Sequence, residues 1–244
     1  MIETSRPLPG VIQVTLHRPE RRNALTVAGF RELAAAWHEV AGSGARVCVV
    51  TGGADFSSGA DLASFADDLR AAAGREGGRE VWAAVHAAVL RDTDLAVPVV
   101  AAVEGFCMGA GMELVGATDV RIAGESAVFA LPEVTHGFIA GGGSVARLPR
   151  QIGYAAAMQV LLTGARFSAV EMRDRGFVSE VVPDGTALAR ALEVAGQIAA
   201  NDPRAVAAVK RVVAETMRGS LADAHAAETR EFRALTERGG DPSA

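Results

Sequence analysis

A recurring order of apolar strand, glycine-rich loop and helix constrains this sequence more than any other feature. Residues 47–51 form a short apolar run that two glycines close, and a second run at residues 97–103 is followed by a glycine-rich turn at residues 105–111. A third glycine run, at residues 141–143, precedes a helical pattern. Buried strands that alternate with helices predict α/β layers around a largely parallel sheet.

Other elements follow from the spacing of the apolar residues. Further strands are predicted at residues 11–17, 119–122 and 127–131. A helix is predicted after Thr26, because its hydroxyl group can cap a helix N-terminus. The apolar face of this helix is predicted to comprise Phe30, Leu33, Ala34, Trp37, Val40 and Ala41. Residues 79–95 also look helical, and we interpret the Ala-rich, charged segment at 63–78 as a mobile helix or loop.

The last quarter of the chain is predicted to be entirely helical. We expect no strand after about Thr186, and three helical stripes follow that residue. The stripes are Leu188, Leu192, Ala195, Ile198 and Ala199, then Val206, Val209, Val213 and Met217, then residues 221–235. The chain is thus predicted to divide into an α/β core at residues 1–185 and a C-terminal helical region at residues 186–244, with residues 183–185 as the linker.

Charge and histidine spacing argue against two kinds of ligand. The formal net charge is −5, whereas a nucleic-acid-binding protein usually presents a basic face. The five histidines show no metal-ligand spacing. We therefore expect no nucleic acid and no metal, and we interpret the local cluster of Arg18, Arg21 and Arg22 as a solvated turn or a small basic site.

The compartment is predicted from the N-terminus and the cysteines. The first ten residues lack a basic segment followed by an apolar run, so we expect no secretory signal. No stretch of 18 uncharged apolar residues occurs, so we expect no membrane span and no membrane partner. Cys48 and Cys107 lie in apolar, strand-like contexts. Because buried free thiols are typical of reducing compartments, we expect the protein to be cytoplasmic.

The glycine loops match nucleotide-binding and nucleophile motifs poorly. The segment at Gly109 and Gly111 begins like a dinucleotide fingerprint, but Leu114 stands where the third glycine belongs. No P-loop lysine follows Gly143 and Ser144. The segment around Ser144 also lacks the last glycine of a nucleophile elbow.

Backbone donors offer a better physical account of these loops. The first N–H groups of a helix have no partner within the helix, and glycine lets a ligand approach them closely. Ala60 follows a glycine in one loop, and Ala110 lies between glycines in another. The N–H groups of these two residues could converge on one oxygen and form an oxyanion hole. Two ordinary tight turns remain the alternative.

Glu113 and Glu133 are the candidate acid and base. Glu113 falls three residues after Ala110, in the first turn of a helix, and Glu133 follows the apolar stretch at residues 129–132. Two carboxylates in one pocket can divide the acid and base roles. A favourable charge at a helix N-terminus is the alternative for Glu113, and an exposed carboxylate at a strand end is the alternative for Glu133.

At this point the sequence resembles the crotonase, or enoyl-CoA hydratase/isomerase, family over nearly its whole length. The resemblance rests on several ordered motifs, each of which would be weak alone. They are Arg18-Pro19, Asn23-Ala24-Leu25, Ser58-Gly59-Ala60-Asp61-Leu62, residues 98–105, Gly109-Ala110-Gly111-Met112-Glu113-Leu114, Phe129-Ala130-Leu131-Pro132-Glu133, Arg147-Leu148-Pro149 and Leu162-Thr163-Gly164.

The resemblance implies a spiral of strand-strand-helix turns with a C-terminal helical oligomerisation region, and a homotrimer or homohexamer. It places the thioester oxygen of an acyl-CoA between the N–H groups of Ala60 and Ala110, with Glu113 and Glu133 as the catalytic glutamates. The residues implied in substrate and coenzyme A binding are Arg22, Ala24, Leu25, Ala60, Asp61, Leu62, Ala63 and Gly109.

Both glutamates together favour an enoyl-CoA hydratase, a lyase that adds water to a trans-2-enoyl-CoA and gives a 3-hydroxyacyl-CoA. The resemblance implies no metal or redox cofactor, since coenzyme A is part of the substrate. An enoyl-CoA isomerase, a dehydratase of a polar acyl-CoA and a non-catalytic acyl-CoA-binding protein are the alternatives.

Overall fold

The structure, a computed structural model, describes residues 1–64, 67 and 75–237. The described strands are β1 (Ile2–Leu8), β2 (Val11–Leu16), β3 (Val47–Thr51), β4 (Val99–Val103), β5 (Phe106–Met108), β6 (Val120–Gly124), β7 (Val128–Ala130), β8 (Phe167–Ser168) and β9 (Glu180–Val182). The described helices are α1 (Val27–Gly42), α2 (Arg75–Ala88), α3 (Ala110–Val115), α4 (Ser144–Gln151), α5 (Tyr154–Thr163), α6 (Ala169–Asp174), α7 (Ala187–Ala199), α8 (Pro203–Thr216) and α9 (Leu221–Glu237). Short 3-10 turns cover Pro19–Arg21 and Pro132–His136.

A twisted sheet forms the centre of the described fold. Its strand order is β1-β2-β3-β4-β6-β9. Only the β1–β2 pair in this sheet is antiparallel, and the remaining pairs are parallel. Every residue of β3 and β4 is buried, as expected for strands covered on both faces. The α/β class and the largely parallel sheet are therefore confirmed.

A smaller sheet, in the order β5-β7-β8, stands beside the main one. Strand β4 of the main sheet leads directly to β5 of the small sheet and then to α3, and β6 leads in the same way to β7. These two turns of the chain therefore each place one strand in each sheet. This is the spiral of strand-strand-helix turns that the family resemblance implied.

Helix α1 follows its predicted cap. The Thr26 hydroxyl accepts a hydrogen bond from the Gly29 N–H at 3.1 Å. Phe30, Leu33, Trp37 and Val40 are buried as predicted. The prediction is wrong for Ala41, which is exposed, because the buried face passes through Ala36 instead.

The helix predicted at residues 79–95 ends earlier, at Ala88. Leu90 adopts a left-handed backbone with φ of +52°. The Arg91 N–H donates to the His86 carbonyl at 2.9 Å, and the Leu90 N–H donates to the Ala87 carbonyl at 3.2 Å. These two bonds are those of a Schellman C-cap, in which glycine usually takes the left-handed position. The helix end was missed because leucine occupies that position here.

Several short strands were also missed. Strands β1 and β5 were not predicted from the sequence. The two-residue β8 and the three-residue β9 were also missed. Strand β1 is largely exposed at the sheet edge and carries a proline, so it has no alternating apolar pattern. The others are too short to show a period. Of the predicted segment at 63–78, residues 65, 66 and 68–74 lie outside the described residues.

Helix α7 packs on the main sheet through a row of alanines. Ala187, Ala191, Ala195 and Ala199 are buried against the strands, whereas Leu188, Leu192 and Ile198 are half-buried beside them. The buried face of the helix therefore follows the alanines and includes only part of the predicted stripe. Small residues four apart let the helix approach the sheet closely. No strand follows Thr186 in the described part of the chain, as predicted. The division of domains at residue 185 stays a prediction.

Helices α8 and α9 continue the C-terminal region. Arg211 pairs with Glu231 at 2.7 Å, and Arg230 pairs with Glu215 at 2.9 Å, so both ion pairs join the two helices. Val209 and Val213 are exposed by 65% and 55%. Within the described residues, no helix combines the length and the apolar character needed to cross a membrane.

The alanine row gives a test of the packing of α7. Ala191→Leu should destabilise the fold by about 1–3 kcal/mol, because the added carbons would overfill a site that is 0% exposed. Ala189→Leu is the matched control, since Ala189 is exposed on the same helix. Urea unfolding of both variants measures the difference. Equal stability of the two variants would contradict the close packing described here.

Candidate active site

Two loops meet at the place where the sequence predicts backbone donors. The first covers residues 57–60, and the second covers residues 108–110, between the end of β5 and the start of α3. Ser57 forms a parallel bridge with Cys107. The Ser57 N–H donates to the Phe106 carbonyl at 2.8 Å, and the Met108 N–H donates to the Ser57 carbonyl at 2.9 Å. The first loop therefore extends the pairing of β5, and both loops are held in one register.

Gly59 makes the close contact of the two loops possible. Its φ is +97°, and a Cβ atom at this position would lie 2.9 Å from the Met108 carbonyl oxygen. The same Cβ position is 3.5 Å from the Ala110 nitrogen. A side chain at Gly59 would separate the loops, so glycine is needed here both for the backbone angle and for the space.

The N–H groups of Ala60 and Ala110 are available to a ligand. Leu25 and Ala60 form a parallel bridge, in which the Leu25 N–H donates to the Gly59 carbonyl and the Asp61 N–H donates to the Leu25 carbonyl. That pairing leaves the Ala60 N–H unused, and Ala110 is the first residue of α3. Among the described residues, neither N–H donates to a protein acceptor.

Glu113 lies at the end of the first turn of α3 and is only 5% exposed. Its Oε1 atom accepts a hydrogen bond from the Gly142 N–H at 2.7 Å. Burial, and after it the nearby charge of Glu133, raises the pKa of Glu113 to about 7. The N–H groups of Gly142 and Ser144 and the guanidinium of Arg147 oppose this rise.

Glu133 lies in the 3-10 turn that follows β7. Its Oε2 atom is buried and has no hydrogen-bond partner within the described residues. Its Oε1 atom lies 3.3 Å from the position that a Cβ of Gly109 would occupy. Burial raises the pKa of Glu133 as well. A buried carboxyl oxygen without a partner is costly, and a substrate proton or hydroxyl could satisfy it.

The fold thus brings Glu113, Glu133 and the Ala110 N–H together around Gly109. The Gly109 N–H donates to the Ala130 carbonyl at 2.9 Å, which ties the second loop to the strand that precedes Glu133. Two buried carboxyl groups with raised pKa values are candidates for acid and base roles. Unpaired backbone donors beside them can stabilise a developing oxyanion.

Five of the residues predicted to bind coenzyme A line one open cavity of about 430 Å³. They are Arg22, Ala24, Ala60, Asp61 and Leu62, and Glu20 and Arg21 complete the lining. Three predicted residues lie elsewhere. The Leu25 side chain is buried, Ala63 is exposed outside the lining, and Gly109 lies against Glu133.

Asp61 is held by Arg18, which the sequence analysis did not connect to it. The Arg18 Nη1 atom donates to Asp61 Oδ2 and to the Ala24 carbonyl, both at 2.9 Å. The hydrogen bond from Arg18 lowers the pKa of Asp61. Asp61 therefore stays ionised and fastens the loop that carries Ala60 to the segment before α1.

No cluster suited to a metal ion occurs within residues 1–64, 67 and 75–237. These residues contain no group of three or more His, Cys, Asp or Glu side chains that could hold one. Whether the protein needs a metal or another cofactor stays a prediction from the sequence.

Comparison with known proteins identifies the family. A sequence profile of the family described as enoyl-CoA hydratase/isomerase matches residues 8–239. The chain belongs to this family, the crotonases. An enoyl-CoA hydratase of Mycobacterium tuberculosis is 40% identical over 205 residues, which is 83% of this chain and 76% of that protein. A 2,3-dehydroadipyl-CoA hydratase of Escherichia coli is 35% identical and covers 92% of this chain and 86% of its own length.

Other members of the family differ in reaction or are known as structures. A Delta(3,5)-Delta(2,4)-dienoyl-CoA isomerase of Mus musculus is 35% identical over 80% of this chain and 63% of its own. The crystal structure of an enoyl-CoA hydratase from Bacillus anthracis superposes with a TM-score of 0.88 at 33% identity. It covers 97% of this chain and 91% of its own, so the whole crotonase fold is shared.

The residues that hold Glu113 were not predicted from the sequence. The glycine run at 141–143 was interpreted as a poor match to a phosphate loop or a nucleophile elbow, but the Gly142 N–H donates to the carboxyl group of Glu113. Ser144 is buried at the start of α4, and Arg147 donates to the Gly142 carbonyl at 3.3 Å. The available signal was a glycine run directly before a helix, which is typical of an anion-binding helix start.

Gly142 offers a test of how tightly Glu113 is held. A Cβ at Gly142 would lie 2.6 Å from Glu113 Oε2 and 2.8 Å from Val89 Cγ2. Gly142→Ala should therefore displace the carboxyl group and lower acyl-CoA turnover by roughly 100-fold, the effect of a misplacement of about 1 Å. Turnover and circular dichroism of the variant measure this effect and the retention of the fold.

Gly196→Ala serves as the control for this substitution. Nothing lies within 4 Å of the added methyl group there, and Gly196 is in the distant helix α7. We expect parental turnover in this variant. Parental turnover in a folded Gly142→Ala protein would mean that the position of Glu113 does not matter for the reaction.

Proposed function

We propose that this chain is an enoyl-CoA hydratase that adds water across the double bond of a trans-2-enoyl-CoA and releases a 3-hydroxyacyl-CoA. One observation carries the proposal: Glu113 and Glu133 both have raised pKa values and lie beside an unused backbone N–H group at Ala110. Hydration needs a base, an acid and an oxyanion site, and this arrangement offers candidates for all three.

In the proposed reaction, the N–H groups of Ala60 and Ala110 donate to the thioester oxygen. Attack of water at the β-carbon moves electrons onto this oxygen and forms an enolate. Preorganised donors stabilise the enolate more than the ground-state carbonyl, so they lower the barrier. The enolate then collapses and takes a proton at the α-carbon.

The two glutamates divide the proton transfers. Glu113, in its ionised form, takes a proton from the attacking water as its oxygen bonds to the β-carbon. Glu133, whose pKa is raised by burial, gives its proton to the α-carbon. The hydroxyl group and one hydrogen are thus added, and a proton passes from Glu113 to Glu133 before the next turnover.

The open cavity beside Ala60 is the proposed site of the coenzyme A moiety. Arg21 and Arg22 line it, and their guanidinium groups can bind the phosphates of coenzyme A. The Arg22 guanidinium also stacks on the Phe106 ring at 4.7 Å, which holds it at the rim. We also propose that Leu25, Ala63 and Gly109 contact the substrate or coenzyme A, and that they do so through backbone atoms.

The proposed reaction needs neither a metal nor a redox cofactor, since the addition of water involves no net oxidation or reduction and the two glutamates carry the protons. We also propose a cytoplasmic location. Cys48 and Cys107 support it, because both are buried free thiols and free thiols persist in a reducing compartment.

Paired substitutions separate the hydratase from an isomerase. Glu113→Gln keeps the size of the side chain and can still accept the Gly142 hydrogen bond, but it cannot act as a base. It should lower hydration by roughly 100- to 10,000-fold and leave double-bond migration less affected. Glu133→Gln should lower both. The measurement is a turnover panel of enoyl-CoA thioesters that differ in length and polarity.

Glu125→Gln is the control, since Glu125 is exposed. Parental hydration by Glu113→Gln together with an inactive Glu133→Gln would replace the hydratase with a one-base isomerase, the activity named for the mouse relative. A dehydratase of a polar acyl-CoA would turn over polar thioesters alone. Binding of coenzyme A thioesters with no turnover would indicate an acyl-CoA-binding protein.

We further propose that the protein is a homotrimer or a homohexamer. Val209 and Val213 lie on α8, and Met217 caps its C-terminus; the three side chains are exposed by 65%, 55% and 37%. These side chains recur every four residues, so they form one apolar stripe on the helix. Another copy of the chain would remove this stripe from water in a closed ring.

Sedimentation tests the assembly. The parent protein should sediment as a trimer or a hexamer at micromolar concentration. Val213→Asp should shift it toward monomer, because a carboxylate would be buried in the contact without a partner. Ala189→Asp, an exposed position on α7, is the control. A monomeric parent protein would reject the proposal.

A further inference from the structure

The peptide unit between Gly141 and Gly142 is held from both sides. Its carbonyl oxygen, that of Gly141, accepts a hydrogen bond from Arg91 Nη1 at 2.7 Å. Its N–H, that of Gly142, donates to Glu113 Oε1 at 2.7 Å. A single planar amide therefore connects a guanidinium to the carboxyl group of Glu113.

This arrangement transmits both position and charge. A peptide unit is rigid, so fixing its carbonyl fixes the direction of its N–H. Hydrogen bonds in a chain polarise one another, and a cation on the carbonyl side makes the N–H a better donor. Bonds to ionised groups are also stronger than neutral ones. Arg91 can thus favour the ionised form of Glu113 without touching it.

Arg91 is itself held in place. It directly follows the Schellman end of α2, and its Nη1 atom also donates to His86 Nε2 at 2.8 Å. Arginine can only donate, so His86 must be neutral with its Nε2 atom free to accept. His86 Nδ1 faces Asp92 Oδ2 at 3.4 Å. Burial, followed by the charge of Arg91, lowers the pKa of His86 and favours this neutral form.

Other charged groups lie near Arg91 and Glu113. Asp92 lies 3.7 Å from Arg91 Nε, and Arg147 acts on Glu113 through its charge, as Glu133 does with the opposite sign. Arg147 bonds the next carbonyl along the chain, that of Gly142. Arg91 differs from Arg147 because its bond lies on the same peptide unit that donates to Glu113.

We propose that Arg91 is a positioning residue for Glu113 and acts on it through the peptide unit between Gly141 and Gly142. The proposal rests on the function proposed above, in which Glu113 is the base. Arg91 fixes the direction of the Gly142 N–H and so holds the carboxylate toward the attacking water. Loss of this side chain should loosen the carboxylate and make it harder to ionise.

The pH profile of hydration tests this role. In the parent protein, kcat/KM should rise with pH through about 7, because Glu113 must be ionised to act as a base. Arg91→Met should move this midpoint to higher pH and lower kcat by up to about 100-fold with little change in KM. Arg91→Lys keeps a charged donor and should fall between the two.

Arg150→Met is the matched control, since Arg150 is exposed and bonds only the Ala146 carbonyl of its own helix among the described residues. It should keep the parental midpoint. A role of Arg91 in stability alone would lower the fraction of folded enzyme and leave the midpoint unchanged. An unchanged midpoint in Arg91→Met would therefore overturn the proposal.

A measurement without turnover separates this proposal from the proposed function. Protein labelled with ¹³C at the glutamate carboxyl carbon can be titrated by NMR, with the Glu113 signal assigned from its loss in Glu113→Gln. The pKa of Glu113 should be higher in Arg91→Met than in the parent and in Arg150→Met. Equal values would overturn the role of Arg91, whereas a raised value in a protein that hydrates no enoyl-CoA would overturn the hydratase alone.

Discussion

The close crossing of two loops at Gly59 is the constraint on which the rest of the site depends. A Cβ at this residue would lie 2.9 Å from the Met108 carbonyl, so any other amino acid would separate the loops. The crossing sets the first loop against the start of α3 and therefore places the Ala110 N–H and Glu113. The Gly109 N–H, bonded to the Ala130 carbonyl, extends the same frame to the segment that carries Glu133.

Burial of two carboxyl groups gives the site its chemistry and makes it costly to fold. The pKa of Glu113 is raised to about 7 in the folded state, above the ordinary value of 4.5. The folded protein therefore binds more protons than the unfolded chain between these values. The contribution of Glu113 to stability is fully present below pH 4.5 and is lost as the pH rises through about 7. Backbone N–H groups from Gly142 and Ser144 offset part of that loss.

The C-terminal helices show two uses of apolar residues. The alanine row of α7 is buried within the chain, since small side chains let the helix lie close to the sheet. The stripe on α8 that contains Val209 and Val213 is exposed within one chain. Hydrophobic periodicity predicts an apolar face in both helices. It does not predict whether that face is buried within the chain or left exposed.

Local patterns and ordered motifs were enough to predict the fold class, the family, the Thr26 cap and the candidate residues Ala60, Ala110, Glu113 and Glu133. The environment of those residues could be read only from the folded chain. The helix end at Leu90, the tie from Arg18 to Asp61 and the hold on Glu113 each depend on backbone conformation or on groups far apart in the chain. Backbone N–H and carbonyl groups are the same at every position, so a sequence cannot report which of them will face a carboxylate.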